Sequence, residues 1–531
     1  MNFNIPQFNN IIPKVTFKGN DNTIFTPKTL TPKTPPIPND SFEMSVGYVN
    51  DTHGQTNNMM RILSGLKGDL KLSAGDNDIG DEKNKAVHKA TAMFLNLADI
   101  KATAFGNHDL DTTQADFIDT KNNDMKTKVL AANFRKVDDW EDLDDNLENY
   151  GRYDMESELD GSTIVEVKGE KIGLIGASPI DMFERATHPA YHTDCYVDKL
   201  EDTIEDIQEE IDDLKEKGVN KIFLLSHLGH ERDKVVAQNT DGIDVIIGGH
   251  THELIRDIKE GENFFYSKSG EPVIMTEAGR DGAYFGELNL TFDKDGIITK
   301  AQNNIAETRL FSKNMINQYM FDDILGKPEK VGFIKDAPPP PKTLIEENPH
   351  ANFVCDAMKY ITNSEIAIWN NAGIRNFFHE GSIDSRDIKD IAPFFDRISV
   401  ADVSEKAIVD MFKDNIKTTY SSHGFKPGLI AVSGLQYGVN EKEGKLTFMK
   451  FIDNDGNETM IDIDNPREDK TYKFVTDEFM MSHGADFPVL CKAEDCLEIY
   501  PYDKDVMTCQ YIKALNKPIV INQTGRIVFE G

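Results

Sequence analysis

Cysteine is scarce in this chain. The five residues, Cys195, Cys355, Cys491, Cys496 and Cys509, are odd in number, scattered and without a CxxC pair, so neither a disulfide framework nor a thiolate zinc site organises the fold. Long apolar runs are missing too. No stretch approaches the ~18 to 20 residues of a membrane-crossing helix, and the opening MNFNIPQFNNIIPKVTFKG lacks the charged start and apolar centre of a secretion signal. The chain reads as soluble, and cytoplasmic by default. Positive charge is in deficit: 58 Lys and Arg stand against 91 Asp and Glu, a net charge of -33. Such a chain repels a nucleic-acid polymer. A small anionic ligand would have to be met by bound metal or by a few well-placed arginines.

What is present is enough chain for two cores: 531 residues, 39% of them apolar. Residues 1–42 carry seven prolines and the near-repeat TPKTLTPKTPP, and are expected to be a flexible or extended tail. Residues 43–312 then alternate short apolar runs (MSVGYV, LKLSAG, KATAFG, KVLAAN, STIVEV, KIGLIGA, KIFLLS, DVIIGG, PVIMTEA) with polar helices such as KLEDTIEDIQEEIDDLKEK. That pattern predicts an α/β domain with a mostly buried sheet. The acidic stretch Val137 to Tyr150 has no regular ligand spacing and reads as a solvated loop. Residues 313–347 read as a linker containing the extended run Pro338 to Pro341. From Asn348 to the end a mixed α+β domain is expected: helices ANFVCDAMKYIT and SEKAIVDMFKDNI, the strand EIAIWN, and hairpin-like strands LTFMKFID and YKFVTD.

The chemistry lies where the strands of the first domain end. MSVGYV runs into Asp51 and His53, LKLSAG into Asp76, KATAFG into Asn107 and His108, KIFLLS into His227, and DVIIGG into His250 and His252. Singly, each is an ordinary turn or helix cap. Together they repeat one relation to different strands, and ligands collect in the crevice beyond the carboxyl ends of strands in an α/β sheet. Imidazole, carboxylate and one amide oxygen suit manganese, zinc, iron or cobalt. Seven candidate ligands exceed the need of one ion, and a carboxylate-bridged pair ~3.5 to 4 Å apart is the arrangement that serves phosphoryl transfer.

The motifs NDTHG, AGDNDIG, GNHDLD, SHLGHE and GGHTHE, in this order, resemble those of the calcineurin-like metallophosphoesterases, in their 5'-nucleotidase and 2',3'-cyclic nucleotide phosphodiesterase branch. NNAGIR, IAPFFDRI, VSGLQY and FVTDEFMMSHGADF resemble blocks of that branch's C-terminal domain. The resemblance covers Glu43 to the C terminus. It implies a four-layer α-β-β-α sandwich followed by an α+β nucleotidase domain, and two divalent ions. Asp51, His53, Asp76 and His252 would surround one ion and Asp76, Asn107, His227 and His250 the other, with Asp76 bridging. His108 and Asp111 would form a catalytic dyad. Asn370, Arg375, Phe394, Gly434, Phe479 and Asp486 would hold the substrate, the two phenylalanines flanking a base and Asp486 meeting ribose.

The implied activity is release of phosphate from a nucleoside 5'-monophosphate by a metal-activated hydroxide. NNAGIR replaces a glycine-rich loop, and Phe479 stands seven residues before Asp486 rather than six. Base identity therefore stays open, and a 2',3'-cyclic nucleotide, a UDP-sugar or another phosphoester small molecule is an alternative. A catalytically silent binding protein on the same fold is the alternative of another class. Members of the branch are often periplasmic or extracellular.

Overall fold

The structure, a computed structural model, describes residues 41–80, 84–136, 155–185, 195–394, 396–421, 427–483, 488–492 and 495–530. Asp486, the acidic stretch 137–150 and the expected tail up to residue 40 lie outside the described residues.

The first half is two six-stranded sheets packed face to face. One runs Ile298–Glu307, Tyr284–Phe292, Phe42–Val49, Leu70–Ser73, Ala102–Ala104, Lys128–Leu130, with the last four strands parallel. The other runs Phe264–Tyr266, Pro272–Thr276, Val245–Gly248, Ile222–Ser226, Glu170–Ala177, Ser162–Val167, parallel through its four middle strands. Strands covered on both faces carry unbroken apolar sequence, which is why IFLLS and VIIG are buried at every position. Val46, Tyr48, Leu72, Phe223, Leu225 and Ile247 fill the space between the sheets. Helices Leu200–Glu216 and His230–Asn239 cover the outer face of the second sheet. Helices Thr56–Gly65, Lys85–Ala98 and Met315–Leu325 cover the outer face of the first. This is the expected four-layer order.

The second half gathers one core around a five-stranded sheet ordered Ile430–Ser433, Ile366–Asn370, Thr471–Asp477, Ile398–Ser404, Glu498–Tyr500. Of the two strands expected to be hairpin-like, one forms a hairpin and the other does not. Lys445–Ile452 pairs with Leu435–Asn440 in a separate four-stranded sheet, while Thr471–Asp477 lies inside the five-stranded one. The physical reason is burial: Tyr472, Phe474 and Val475 are fully covered, as a central strand requires. The stretch expected as a linker is also built into the fold. Besides the helix Met315–Leu325 it holds the strand Lys330–Asp336, which pairs with Gly381–Asp384 and Ile519–Val520.

The domains meet beside the carboxyl ends of the first sheet. Gln55 Nε2 donates to Asp390 O at 2.8 Å, Asn57 Nδ2 to Asp387 Oδ1 at 3.1 Å, Asn84 Nδ2 to Pro393 O at 3.1 Å, and Asn376 Nδ2 to Gln55 Oε1 at 3.1 Å. Asp387 and Asp390 ride on the short helix Ser385–Ile391, which starts with a capping box from Asp384.

Candidate active site

Parallel strands bring their carboxyl ends to one edge, so the loops that leave them share a crevice. Asp51 and His53 follow Phe42–Val49, Asp76 follows Leu70–Ser73, Asn107 follows Ala102–Ala104, His227 follows Ile222–Ser226, and His250 and His252 follow Val245–Gly248. The structure brings six of them together and sets Asn107 between Gly106 and His108, both of which meet Asp76. Asp76 Oδ2 lies 3.0 Å from His227 Nε2 and 3.7 Å from His53 Nε2, while Asp51 Oδ1 lies 3.3 Å from His252 Nε2 and 3.7 Å from His53 Nε2. Three groups have ligand atoms within 4.8 Å of one another: Asp51, His53 and His252; Asp76, His227 and His250; and His53, Asp76 and His108.

The backbone is bent to achieve this. Asp51, His53, Asp76, His250, His252 and Asp281 all have left-handed φ, between 46 and 74°. A residue with a Cβ avoids that region at a cost of order 1 kcal/mol, and such residues cluster where function over-determines them. Gly106 answers a different demand. A Cβ there would lie 2.1 Å from Asp76 Oδ1, so only glycine lets the strand end approach that carboxylate.

The residues fit a divalent metal. His53 Nε2, His227 Nε2 and Asn107 Oδ1 are buried and have no hydrogen-bond partner among the described residues, His227 Nε2 being near Asp76 but outside hydrogen-bond geometry. Buried polar atoms are rarely left so, and bound cations would satisfy them. Three of the imidazole rings are anchored through one nitrogen. His53 Nδ1 donates to Asp281 Oδ1 at 2.9 Å and His227 Nδ1 to Ala74 O at 2.6 Å, while His250 is held by Nε2, 3.3 Å from Asp181 Oδ1. Burial pulls the His227 ring down, but Asp76 and Asp51 outweigh it and push it up to about 10. Burial would raise Asp51, yet His227 and His252 hold it near 2. The carboxylates thus demand positive charge between them. His252, lowered to about 4 mainly by burial, is neutral and ready to ligate.

His108 stands beside this cluster, its ring centroid 5.1 Å from that of His53. Its Nδ1 donates to Asp111 Oδ2 at 2.7 Å, and Gly80 N donates to the same oxygen at 2.9 Å. Burial lowers the His108 ring, and the Asp111 and Asp76 carboxylates more than compensate, so the net direction is up. The neighbouring Asp109 accepts from Gly106 N at 2.8 Å and so clamps the turn that presents Asn107. Burial, with Asp76 nearby, pushes Asp109 up to about 8.

From the second domain, Arg375 reaches the cluster, with Nη1 3.5 Å from His53 Nδ1 and its guanidinium 5.2 Å from the Phe394 ring centroid. Phe394 lies 6.4 Å from the His108 ring. Asn370 ends the strand Ile366–Asn370 just before this loop. Phe479 opens a single π-helical turn, Phe479–His483, and rests half-buried on the domain core. Gly434 is explained by the fold: its φ is 82°, and a Cβ would meet Glu365 O at 2.2 Å.

A calcineurin-like phosphoesterase family model matches residues 44–254, and one for the 5'-nucleotidase C-terminal domain matches residues 330–492. The chain belongs to the calcineurin-like phosphoesterases that carry a 5'-nucleotidase C-terminal domain. This phosphoesterase is 26% identical over 532 residues to the trifunctional nucleotide phosphoesterase protein YfkN of Bacillus subtilis (strain 168), covering 92% of the chain but only 35% of that longer protein. It is 26% identical over 500 residues to a 5'-nucleotidase of Diplobatis ommata, covering 87% of the chain and 82% of that protein. Among solved structures, a 5'-nucleotidase precursor from Thermus thermophilus shares its fold, with a TM-score of 0.68, 22% identity, and coverage of 92% of this chain and 99% of that one.

Sequence reasoning passed over Asp181, Arg280 and Asp281, and Asn50, which leads the NDTHG motif, proves a brace. Asn50 braces Asp51, with Nδ2 2.7 Å from Oδ2. The signal for Asp281 was available: it follows the strand Pro272–Thr276 as the ligands follow theirs. Burial would raise its carboxyl, but Arg280 and His53 hold it well below the usual carboxylate range.

Proposed function

We propose that this phosphoesterase is a two-metal 5'-nucleotidase that hydrolyses nucleoside 5'-monophosphates. The observation that carries the reading is the arrangement around Asp76: two metal-type groups include it, His108 N–H donates to it, and Arg375 of the second domain reaches the neighbouring His53. Asp51, His53, Asp76 and His252 would hold one ion, and Asp76, Asn107, His227 and His250 the other. Bound divalent ions would supply Lewis-acid stabilisation of phosphoryl oxygens and a lowered pKa for the attacking water.

The chain's own residues do the rest. Arg375, whose buried Nε has no hydrogen-bond partner among the described residues, opposes phosphoryl charge as it builds. His108, held through Nδ1 by Asp111, offers Nε2–H to a phosphoryl or leaving oxygen. His108 N–H also donates to Asp76 Oδ1 at 2.9 Å, so the dyad and the shared carboxylate are positioned as one unit. Phe394, stacked on Arg375, offers a face for a base. Phe479 is suited to flank the base from the other domain element, with Asn370, Gly434 and Asp486 completing the proposed substrate set.

The test is phosphate release by chelator-stripped protein, before and after manganese, zinc or cobalt is returned, across nucleoside 5'-monophosphates, 2',3'-cyclic nucleotides and UDP-sugars. Faster turnover of cyclic nucleotides or UDP-sugars would move the reading to a related hydrolase. Nucleotide binding with no metal-dependent release from any substrate would sink it in favour of a silent binding protein.

A further inference from the structure

Asp281 is fastened to the metal-type cluster by bonds of independent origin. Its backbone N donates to Asp51 O at 2.6 Å, its Oδ1 accepts from His53 Nδ1 at 2.9 Å, and its carbonyl accepts from Asn58 Nδ2 at 2.9 Å. The second carboxylate oxygen accepts from Arg280 Nε at 2.5 Å, and Arg280 Nη2 continues across the domain boundary to Ile374 O at 3.0 Å. Ile374 is the residue before Arg375.

We propose that Asp281 is a positioning residue for the metal site built on Asp51 and His53, and that Arg280 couples it to the seating of the Arg375 loop. This rests on the two-metal reading above. An imidazole ligates through the nitrogen that carries no proton, and the hydrogen bond on the other nitrogen decides which one that is. Asp281 accepts the Nδ1–H of His53, which leaves the lone pair on Nε2, the nitrogen that lies 3.7 Å from both Asp51 Oδ1 and Asp76 Oδ2. The placement is specified rather than incidental, because Asp281 is held at a φ of 57° and is almost fully buried. Arg280 makes the same carboxylate serve two ends. One end orients a metal ligand of the first domain. The other, through Ile374 O, fixes the backbone that presents Arg375 from the second.

The experiment is equilibrium dialysis of the chelator-stripped full chain against Mn²⁺ alone, followed by steady-state kinetics on a nucleoside 5'-monophosphate. Asp281→Ala is expected to weaken one of the two bound ions by ~10- to 100-fold and leave the other near its wild-type affinity. Asp281→Asn, which keeps an acceptor for His53 Nδ1, serves if the alanine variant does not fold, and should weaken the same ion by a smaller factor. Arg280→Ala should hold Mn²⁺ within about 2-fold of wild type but raise KM by roughly 10-fold, since a charged hydrogen bond to the substrate domain is lost. Unchanged Mn²⁺ binding in both Asp281 variants, or equal weakening of both ions, overturns the positioning role. An unchanged KM in Arg280→Ala overturns the coupling. Wild-type protein that takes up no Mn²⁺ would bring down the two-metal reading itself, a result distinct from either.

Discussion

Replacing Asp111 by asparagine isolates a single charge. Asp111 is fully buried, and its Oδ2 accepts from both His108 Nδ1 and Gly80 N, at 2.7 and 2.9 Å. An asparagine with its oxygen in that place keeps these two bonds and the shape, and removes the negative charge that favours the imidazolium. General acid–base catalysis contributes ~10² to 10⁴-fold. Loss of the charge that keeps His108 protonated should forfeit about 10²-fold in kcat, or about 2.7 kcal/mol of transition-state stabilisation.

The sign with pH is also fixed. Carboxylates raise His108, so the protonated ring survives to higher pH in the wild type. With Asp111→Asn the alkaline limb of kcat should move to lower pH. The assay is phosphate release against pH at saturating metal, with bound metal measured on the same samples. A kcat within about 3-fold of wild type, an unmoved alkaline limb, or a loss of metal that parallels the loss of rate would refute the dyad.

Gly106→Ala should leave the far-UV spectrum intact while abolishing tight metal binding by dialysis, because the new Cβ would lie 2.1 Å from Asp76 Oδ1. Metal returned to stripped protein at 100 times its Kd should stabilise the native state by about 2.7 kcal/mol, read as a concentration-dependent rise in thermal midpoint. Asp390, buried at the domain boundary, is raised to about 7 by burial and then by Asp387. Its unfolded value is ~3.9, so the native state keeps the proton between the two values, and stability falls as pH rises through that window by at most about 4 kcal/mol. Asp390→Asn should therefore raise the melting temperature at pH 8 and leave it unchanged at pH 4; equal shifts at both would defeat the argument.

Much of the first domain was legible because its strands are buried on both faces and its chemistry sits at their ends. Runs such as KIFLLS and DVIIGG announce parallel strands, and a histidine directly after one has little structural reason to be there. Asp281 escaped because EAGRDG looks like any glycine-rich turn, and its partner His53 is 228 residues away. Asp109 was a residue without a role in sequence; its bond to Gly106 N makes it the clamp of the turn. The central place of YKFVTD was not legible, because an apolar pattern tells which residues are buried and not which neighbours a strand takes. The region 313–347 was read by its prolines, while the apolar residues of Lys330–Asp336, of which Val331 and Ile334 turn to the core across an irregular register, carried the opposite message.

The six left-handed residues of the site bear on how this protein can change. Glycine at Asp51, His53, Asp76, His250, His252 or Asp281 would relax the backbone, and at each it would delete a side chain that faces the cluster. A library selected for thermal tolerance without metal should therefore accumulate Gly or Asn at these positions, and one selected for phosphate release should keep them unchanged. The two populations would diverge first at a handful of sites whose backbone angles, rather than their burial, mark them out.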